Sequence, residues 1–299
     1  MRLPWRLRAH SSLHRLSSTM VEPLADLPKV EKLSSRVIRV LGGNPSKFTL
    51  QGTNTYIVGS GARRILIDTG EGKPEWLASL KRVLADERIT LSHALISHWH
   101  HDHTQGVPDL LAVSPSTAVH KRDPQPGWHD ITDGQTFTAD GATLRAYFCP
   151  GHTNDHMAFV LEEEDAMFTA DNVLGQGTAV FEDLAVYMTS LEGMATQFTG
   201  RAYPGHGPVI SDGPAKVREY IAHRRQREKQ VLDVLGSEAR EGGWTAMEIV
   251  KVIYKNYPES LWEPAKAGVL QILRKLEGEG KVVREGEGWK VGGSGKAAL

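Results

Sequence analysis

Apolar and polar positions alternate in short runs as far as about residue 170, broken by a helical spacing at 75–84, and take a longer helical spacing beyond residue 213. Residues 36–41 and 54–58 alternate as strands do, with the turn cluster Gly42-Gly43-Asn44-Pro45 between them. Residues 63–68 form a third strand that ends in Asp68-Thr69-Gly70. Over residues 75–84, Trp76, Leu77, Leu80, Val83 and Leu84 fall on one side of a helix, which leads to a strand at 89–96. Further strands are expected at 117–120, 143–148, 157–161 and 166–169, the last two joined by the acidic turn 162–165. Residues 214–235 then carry Val217, Tyr220, Ile221, Val231, Leu232 and Leu235 on one helical side. After a Gly-bounded linker, helices are expected at 244–257 and 265–276, and a hairpin from 281–284 and 289–291. Thr245 and Glu248 have the spacing of a capping box.

This order implies an α/β chain with one large domain and an appendage, as expected for 299 residues. The expected divisions are a basic segment at 1–29, a catalytic domain at 30–212, a helix and linker at 213–243, and a small domain at 244–299. Residues 1–20 hold Arg2, Arg6, Arg8 and Arg15 and no acid. That is the composition of a mitochondrial transit peptide, and equally of a basic tail ahead of a true start at Met20. The cytoplasm is the expected location, with the mitochondrial matrix the alternative if the segment is a transit peptide. A formal net charge of −1 gives no global attraction to nucleic acid or acidic lipid. The single cysteine, Cys149, rules out an internal disulfide and a thiolate metal cluster. The apolar runs are too short to span a bilayer, so no membrane is expected.

The chemistry is concentrated in Ser97-His98-Trp99-His100-His101-Asp102-His103, which follows the strand at 89–96. Neutral imidazole and carboxylate are the ligands that borderline divalent metals take, and His98 and His100 can converge on one ion from a tight turn. His152 follows Gly151 at another strand-to-loop junction, where a glycine permits close backbone approach. Asp171 ends the strand at 166–169, and His206 stands between Gly205 and Gly207. Asp68, also at a strand end, is placed either to hold a loop or to orient a metal-binding histidine through its other ring nitrogen.

The set His98-x-His100-x-Asp102-His103, then His152, Asp171 and His206, resembles the metal-ligand pattern of the metallo-β-lactamase superfamily. The resemblance implies two mixed β-sheets packed face to face with helices outside, an αββα sandwich. It implies that His98, His100 and His152 hold one metal, Asp102, His103 and His206 a second, and that Asp171 bridges them. Two Zn(2+) ions per chain are expected, with Mn(2+) also suited to these donors. A water held by such a pair ionises near neutral pH, and Asp102 is the expected catalytic residue that orients it and accepts its proton.

Within that superfamily, residues 44–56 and 180–184 are similar to the β-lactamase-like protein 2 group. It includes fungal thioesterases of the atrochrysone carboxyl type and mitochondrial single-strand endoribonucleases. The first-loop wording with Gly43 and Ser46-Lys47-Phe48 resembles the thioesterases. The expected activity is therefore release of an aromatic polyketide from the acyl carrier protein domain of a polyketide synthase. The alternative is cleavage of single-stranded RNA. An apolar cleft, expected from Trp99, Trp128, Phe181 and Tyr187, favours the acyl chain. The C-terminal helices and hairpin resemble a winged helix. Its cations Lys266, Arg274, Lys275, Lys281, Arg284 and Lys290 are interleaved with Glu277, Glu279, Glu285 and Glu287. That mixture favours packing over tracking of phosphates.

Overall fold

The computed structural model describes residues 23–292, so the basic segment at 1–20 and its transit-peptide reading lie outside the described residues. Strands β1 (Val30–Lys32), β2 (Val37–Leu41), β3 (Asn54–Val58) and β4 (Arg63–Ile67) lead to helix α1 (Pro74–Asp86) and β5 (Thr90–Ile96). Two short helices, α2 (His101–Thr104) and α3 (Val107–Val113), precede β6 (Ala118–Lys121). These six strands pair in chain order, antiparallel up to β4 and parallel from β4 to β6.

The second sheet contains β7 (Thr136–Ala139), β8 (Ala142–Phe148), β9 (Met157–Leu161), β10 (Ala166–Ala170) and, after α4 (Leu184–Met194), β11 (Ala202–Pro204). Its order is β11-β10-β9-β8-β7, with β10 and β11 parallel. The short strands β1, β7 and β11 and the helices α2, α3 and α4 were not expected from the sequence. Helix α4 has apolar residues nearly all round, so it carries little amphipathic signal. Leu184, Tyr187, Met188, Leu191 and Met194 are all buried.

Alternation along the strands explains the two layers. In β3, Tyr56 and Val58 face the space between the sheets, whereas Ile57 faces α1. In β4, Ile65 and Ile67 point inward and Leu66 points to the helix side. Both faces are covered, so apolar residues run unbroken over 56–58, where alternation was expected, and over 65–67. The inter-sheet core is completed by Phe137, Leu144, Phe159, Phe168 and Tyr203, and the outer face of the second sheet packs on α4. Burying a side chain of this size contributes about 1.5–3 kcal/mol.

Helix α5 (Gly213–Ser237) leads to α6 (Ala246–Ile253), α7 (Trp262–Gly278) and the wing strands β12 (Val282–Glu285) and β13 (Gly288–Val291). The Thr245 side chain accepts from the Glu248 backbone N–H, and the Glu248 carboxylate accepts from the Thr245 N–H at 2.8 Å. This capping box starts α6 two residues later than the sequence pattern suggested. Its end comes early too, because Pro258 cannot continue a helix and Tyr257 instead closes a turn on Tyr254. The winged helix joins the core shared by α4 and α5 through Ile249, Val250, Val269 and Leu273. Among the described residues, no helix is long and apolar enough to cross a membrane.

Candidate metal centre

All seven expected donors leave the C-terminal ends of strands at one edge of the sandwich. His98, His100, Asp102 and His103 follow β5, His152 follows β8, Asp171 follows β10, and His206 follows β11. The pairing register shifts between Phe168 and Ala170, and Ala170 has φ 42°, so the strand kinks immediately before Asp171. A left-handed alanine is strained, and here the strain aims a carboxylate into the cleft. Gly205 permits the other side to close in. A Cβ there would stand 2.1 Å from Asp171 Oδ1. Gly151 has φ 137°, and a Cβ on it would lie 2.4 Å from Tyr187 Cα, which is the close approach its neighbour His152 requires.

The donor atoms form two groups. One ligand-capable atom from each of His98, His100, His152 and Asp171 lies within 4.8 Å of the others, and Asp102, His103 and His206 form a second such set. Asp171 stands between them. Its Oδ2 is 3.7 Å from His152 Nε2 and 3.1 Å from His206 Nε2, and its Oδ1 is 3.5 Å from His103 Nε2.

The outer ring nitrogens are already committed. His152 Nδ1 donates to Val180 O at 2.8 Å. Asp68 accepts at Oδ1 from the Ser97 N–H (2.8 Å), and at Oδ2 from Ser97 Oγ (2.9 Å) and His103 Nδ1 (2.8 Å). With the Ser97 hydroxyl proton given to Asp68, His98 Nδ1 donates to Ser97 Oγ at 2.9 Å. Asp68 thus holds the loop through the Ser97 N–H and also orients one donor directly and another through Ser97, so it fills both roles open to it in the sequence.

Consequently the inner nitrogens of His98 and His152 present lone pairs, and both face His100 Nδ1 at 3.0 Å. One proton on His100 cannot serve both. His103 Nε2 and Asp171 Oδ1 are buried without a hydrogen-bond partner. Converging lone pairs on His98 and His152 beside an orphaned carboxylate oxygen fit a divalent cation.

Electrostatics agree. Burial, reinforced by His103 and His152, holds His98 well below the usual imidazole range, and burial with His152 lowers His100 to about 4, so both are neutral donors. Burial opposes charge on Asp102, yet His103 and His206 outweigh it and keep its pKa below the usual carboxylate range. For Asp171 the same contest ends the same way. The second set differs: burial opposes charge on His206 and His103, but Asp171 and Asp102 raise His206 to about 9, and Asp102, Asp68 and Asp171 raise His103 well above the usual imidazole range, so a cation there would take the place of a proton on each ring.

The cleft beside these donors has a volume of about 400 Å³, and Phe48, Leu50, Leu174, Ala179 and Val180 supply its apolar wall. Phe48 and Val180 are 74% and 64% exposed, which leaves them free to contact a ligand. The expected aromatic wall is therefore corrected. Trp99 lies over the outer side of His100, and Trp128 packs against the helix-side core of the first sheet. Tyr187 is buried with its hydroxyl donating to Asn172 O at 2.5 Å, and Phe181 stacks on Tyr187 away from the donors. Closeness in sequence to a site loop does not set side-chain direction: Val180 lines the cleft while its neighbour Phe181 turns into a different cavity.

Thr53 was missed as a site residue. Its hydroxyl donates to Asp102 Oδ2 at 3.0 Å and is itself fixed by Asn44 Nδ2 at 3.1 Å. The polar composition of the 42–53 loop was its only signal.

Residues 48–206 match the model of the metallo-beta-lactamase superfamily, and residues 245–289 match the beta-lactamase associated winged helix domain. This chain belongs to the metallo-beta-lactamase superfamily. It is similar to the lactamase-like protein nscB of Arthroderma gypseum, with 48% identity over 87% of each chain. An atrochrysone carboxyl ACP thioesterase of Claviceps purpurea is 46% identical over 89% of this chain and 88% of its own. Another thioesterase of that name, from Aspergillus chevalieri, is 48% identical over 89% and 88%. Among solved structures, a beta-lactamase domain protein from Burkholderia ambifaria has a TM-score of 0.72 at 16% identity, covering 88% of this chain and 93% of its own. That likeness establishes the fold. The chain is a metallo-beta-lactamase-type hydrolase with the αββα sandwich and a C-terminal winged helix.

Proposed function

We propose that this protein is a dinuclear zinc thioesterase that releases an aromatic polyketide, of the atrochrysone carboxylate type, from an acyl carrier protein. The observation that carries the reading is the apolar wall of Phe48, Leu50, Leu174, Ala179 and Val180 directly beside the donor cluster. Relatives named as thioesterases match over nearly their whole length and support it.

His98, His100 and His152 would hold one ion, Asp102, His103 and His206 the other, and Asp171 would serve both. Such a pair supplies a water ionised near neutral pH and a Lewis acid for the thioester carbonyl. The chain's own groups do the rest. Asp102, held anionic and anchored through one oxygen by Thr53, orients the attacking water and takes its proton. Phe48 and Val180 exclude bulk water and lay the ring system against the wall. The departing pantetheine thiolate has a conjugate-acid pKa near 8.5, so it needs little help from a general acid.

Cleavage of single-stranded RNA gains no support from the appendage. Lys281 pairs with Glu279 at 2.7 Å, Lys290 with Glu285 at 2.6 Å, and Lys275 with Glu228 at 2.9 Å, leaving these cations neutralised. The test is to offer the metal-loaded protein an acyl carrier protein charged with an aromatic polyketide and, separately, a single-stranded RNA. Mass spectrometry of the carrier is expected to show a free pantetheine thiol and the RNA to stay intact. Intact carrier with cleaved RNA would refute the reading.

A further inference from the structure

A second cavity, of about 220 Å³, lies where residues 178–184, α5, the end of α6 and α7 meet. Phe181, Val269 and Ile272 give it apolar walls, and Tyr254 adds a second aromatic ring. Arg224 and Arg227 line the same space, and no lining residue is acidic.

Both guanidinium groups are positioned against rings. Arg224 sits 4.8 Å over Phe181 and donates to Ala179 O at 2.7 Å, while its Nε is buried without a partner. Arg227 sits 4.9 Å over Tyr254 and donates to Gln230 Oε1 at 2.9 Å. These hydrogen bonds go to neutral oxygens. The imidazole of His223, also in the lining, registers the resulting field: burial and then Arg224 and Arg227 push its pKa down. Half-buried cations without a counter-charge favour an anion, and flanking rings favour a flat apolar body attached to it. Thr178 lines both this cavity and the cleft with the metal donors, so the two are neighbours.

We propose that this cavity is a second binding site, for a planar aromatic anion: a ring system bearing a carboxylate or an acidic phenol. The ring would pack against Val269, Ile272 and the edges of Phe181 and Tyr254, whose faces already carry Arg224 and Arg227, and the charged group would take the free donors of those two guanidinium groups. Such a ligand can be the far end of an acyl chain that reaches past Thr178, or a free aromatic acid. The site goes beyond the hydrolytic reading, because its occupancy is measurable without turnover.

Gly268 in α7 makes a clean test. A Cβ at that position meets no atom within 4 Å, and leucine is a better helix former than glycine. Gly268 lines the cavity, so Gly268→Leu places a side chain at its wall, starting from a Cβ that displaces nothing. Titration calorimetry with 3-hydroxy-2-naphthoate is run on the full chain, metal-loaded and metal-stripped, and on Gly268→Leu and Arg227→Gln. One equivalent is expected to bind in both metal states, with affinity at least about tenfold lower in each variant. 2-Naphthol, which lacks the carboxylate, is expected to bind at least about tenfold more weakly than the acid. Equal binding by a Gly268→Leu protein that melts no lower than wild type would overturn the proposal, as would loss of binding on metal stripping. Inhibition of thioester hydrolysis by the naphthoate separates the two sources. Competitive inhibition assigns the cavity to the acyl chain and non-competitive inhibition to a free acid. Inhibition that persists undiminished in Gly268→Leu contradicts both.

Discussion

Replacing Asp68 with alanine would leave the Ser97 backbone N–H, the Ser97 hydroxyl and His103 Nδ1 without their acceptor in a site where all are buried. His103 would lose its fixed tautomer and His98 its support through Ser97. Metal affinity should fall about 10–100-fold while the seven proposed donors stay in place, measurable by competition with a chromophoric chelator. Asp102→Asn keeps the size of the side chain and removes its charge. We expect turnover to drop about 10²–10⁴-fold, seen as loss of thiol release, while the protein stays folded with a melting temperature no lower than that of the metal-stripped wild type. At this scale the sequence was highly legible. Histidines and carboxylates placed just beyond strand ends are not explained by a core, and the seven gather in two adjoining groups, five of them lining the cleft. Thr53 and the cleft wall were not legible. A threonine in a polar loop has many ordinary uses, and the direction of Val180 against Phe181 depends on a hydrogen bond from His152 that only the folded chain contains.

Among the elements, helices with a one-sided apolar stripe and strands with flanking glycines were readable, and elements that make neither pattern were not. Helix α4 is apolar nearly all round, and β7 pairs through a four-residue run whose alternation is brief. The capping box of α6 was visible as Thr245 and Glu248, and Thr245→Ala should destabilise the winged helix by about 1 kcal/mol in thermal unfolding. Lys275 of α7 is nearly buried and joins Glu228 of α5 at 2.9 Å and Glu279 at 2.6 Å. Lys275→Met would strand Glu228, whose Oε1 is already without a partner, at a cost of about 2–4 kcal/mol, read as a lowered denaturation midpoint. Burial raises the Glu279 pKa, but hydrogen bonds from Lys275 and Lys281 outweigh it and hold it below the ordinary value of 4.5. Its contribution to stability is therefore complete above pH 4.5 and is lost as pH falls through the depressed value. In Lys275→Met, that acid-side loss should shrink.

For the whole molecule, the two sheets present the proposed donors from opposite sides: the β4–β5 edge gives Asp68 and the histidine loop, and the β8, β10 and β11 ends give His152, Asp171 and His206. Cations in this position would join the sheets, so stripping them should lower the melting temperature by about 5–10 °C. The winged helix packs on the same core as α4 and α5, and Gln271 of α7 donates to Glu182 O at 2.7 Å, which ties the appendage to the segment that follows Val180. The appendage thereby abuts the segment that carries Val180. The sequence revealed its fold, and its contacts pack it on the core of α4 and α5.

The central claim is that five histidines and two aspartates form a two-cation hydrolytic site. It is tested most directly by adding Zn(2+) stepwise to the metal-stripped protein while following thiol release from a polyketide-charged acyl carrier protein. The account predicts no turnover without metal and full turnover at two equivalents per chain. Turnover that is undiminished in the stripped protein, or that saturates at one equivalent, would contradict it.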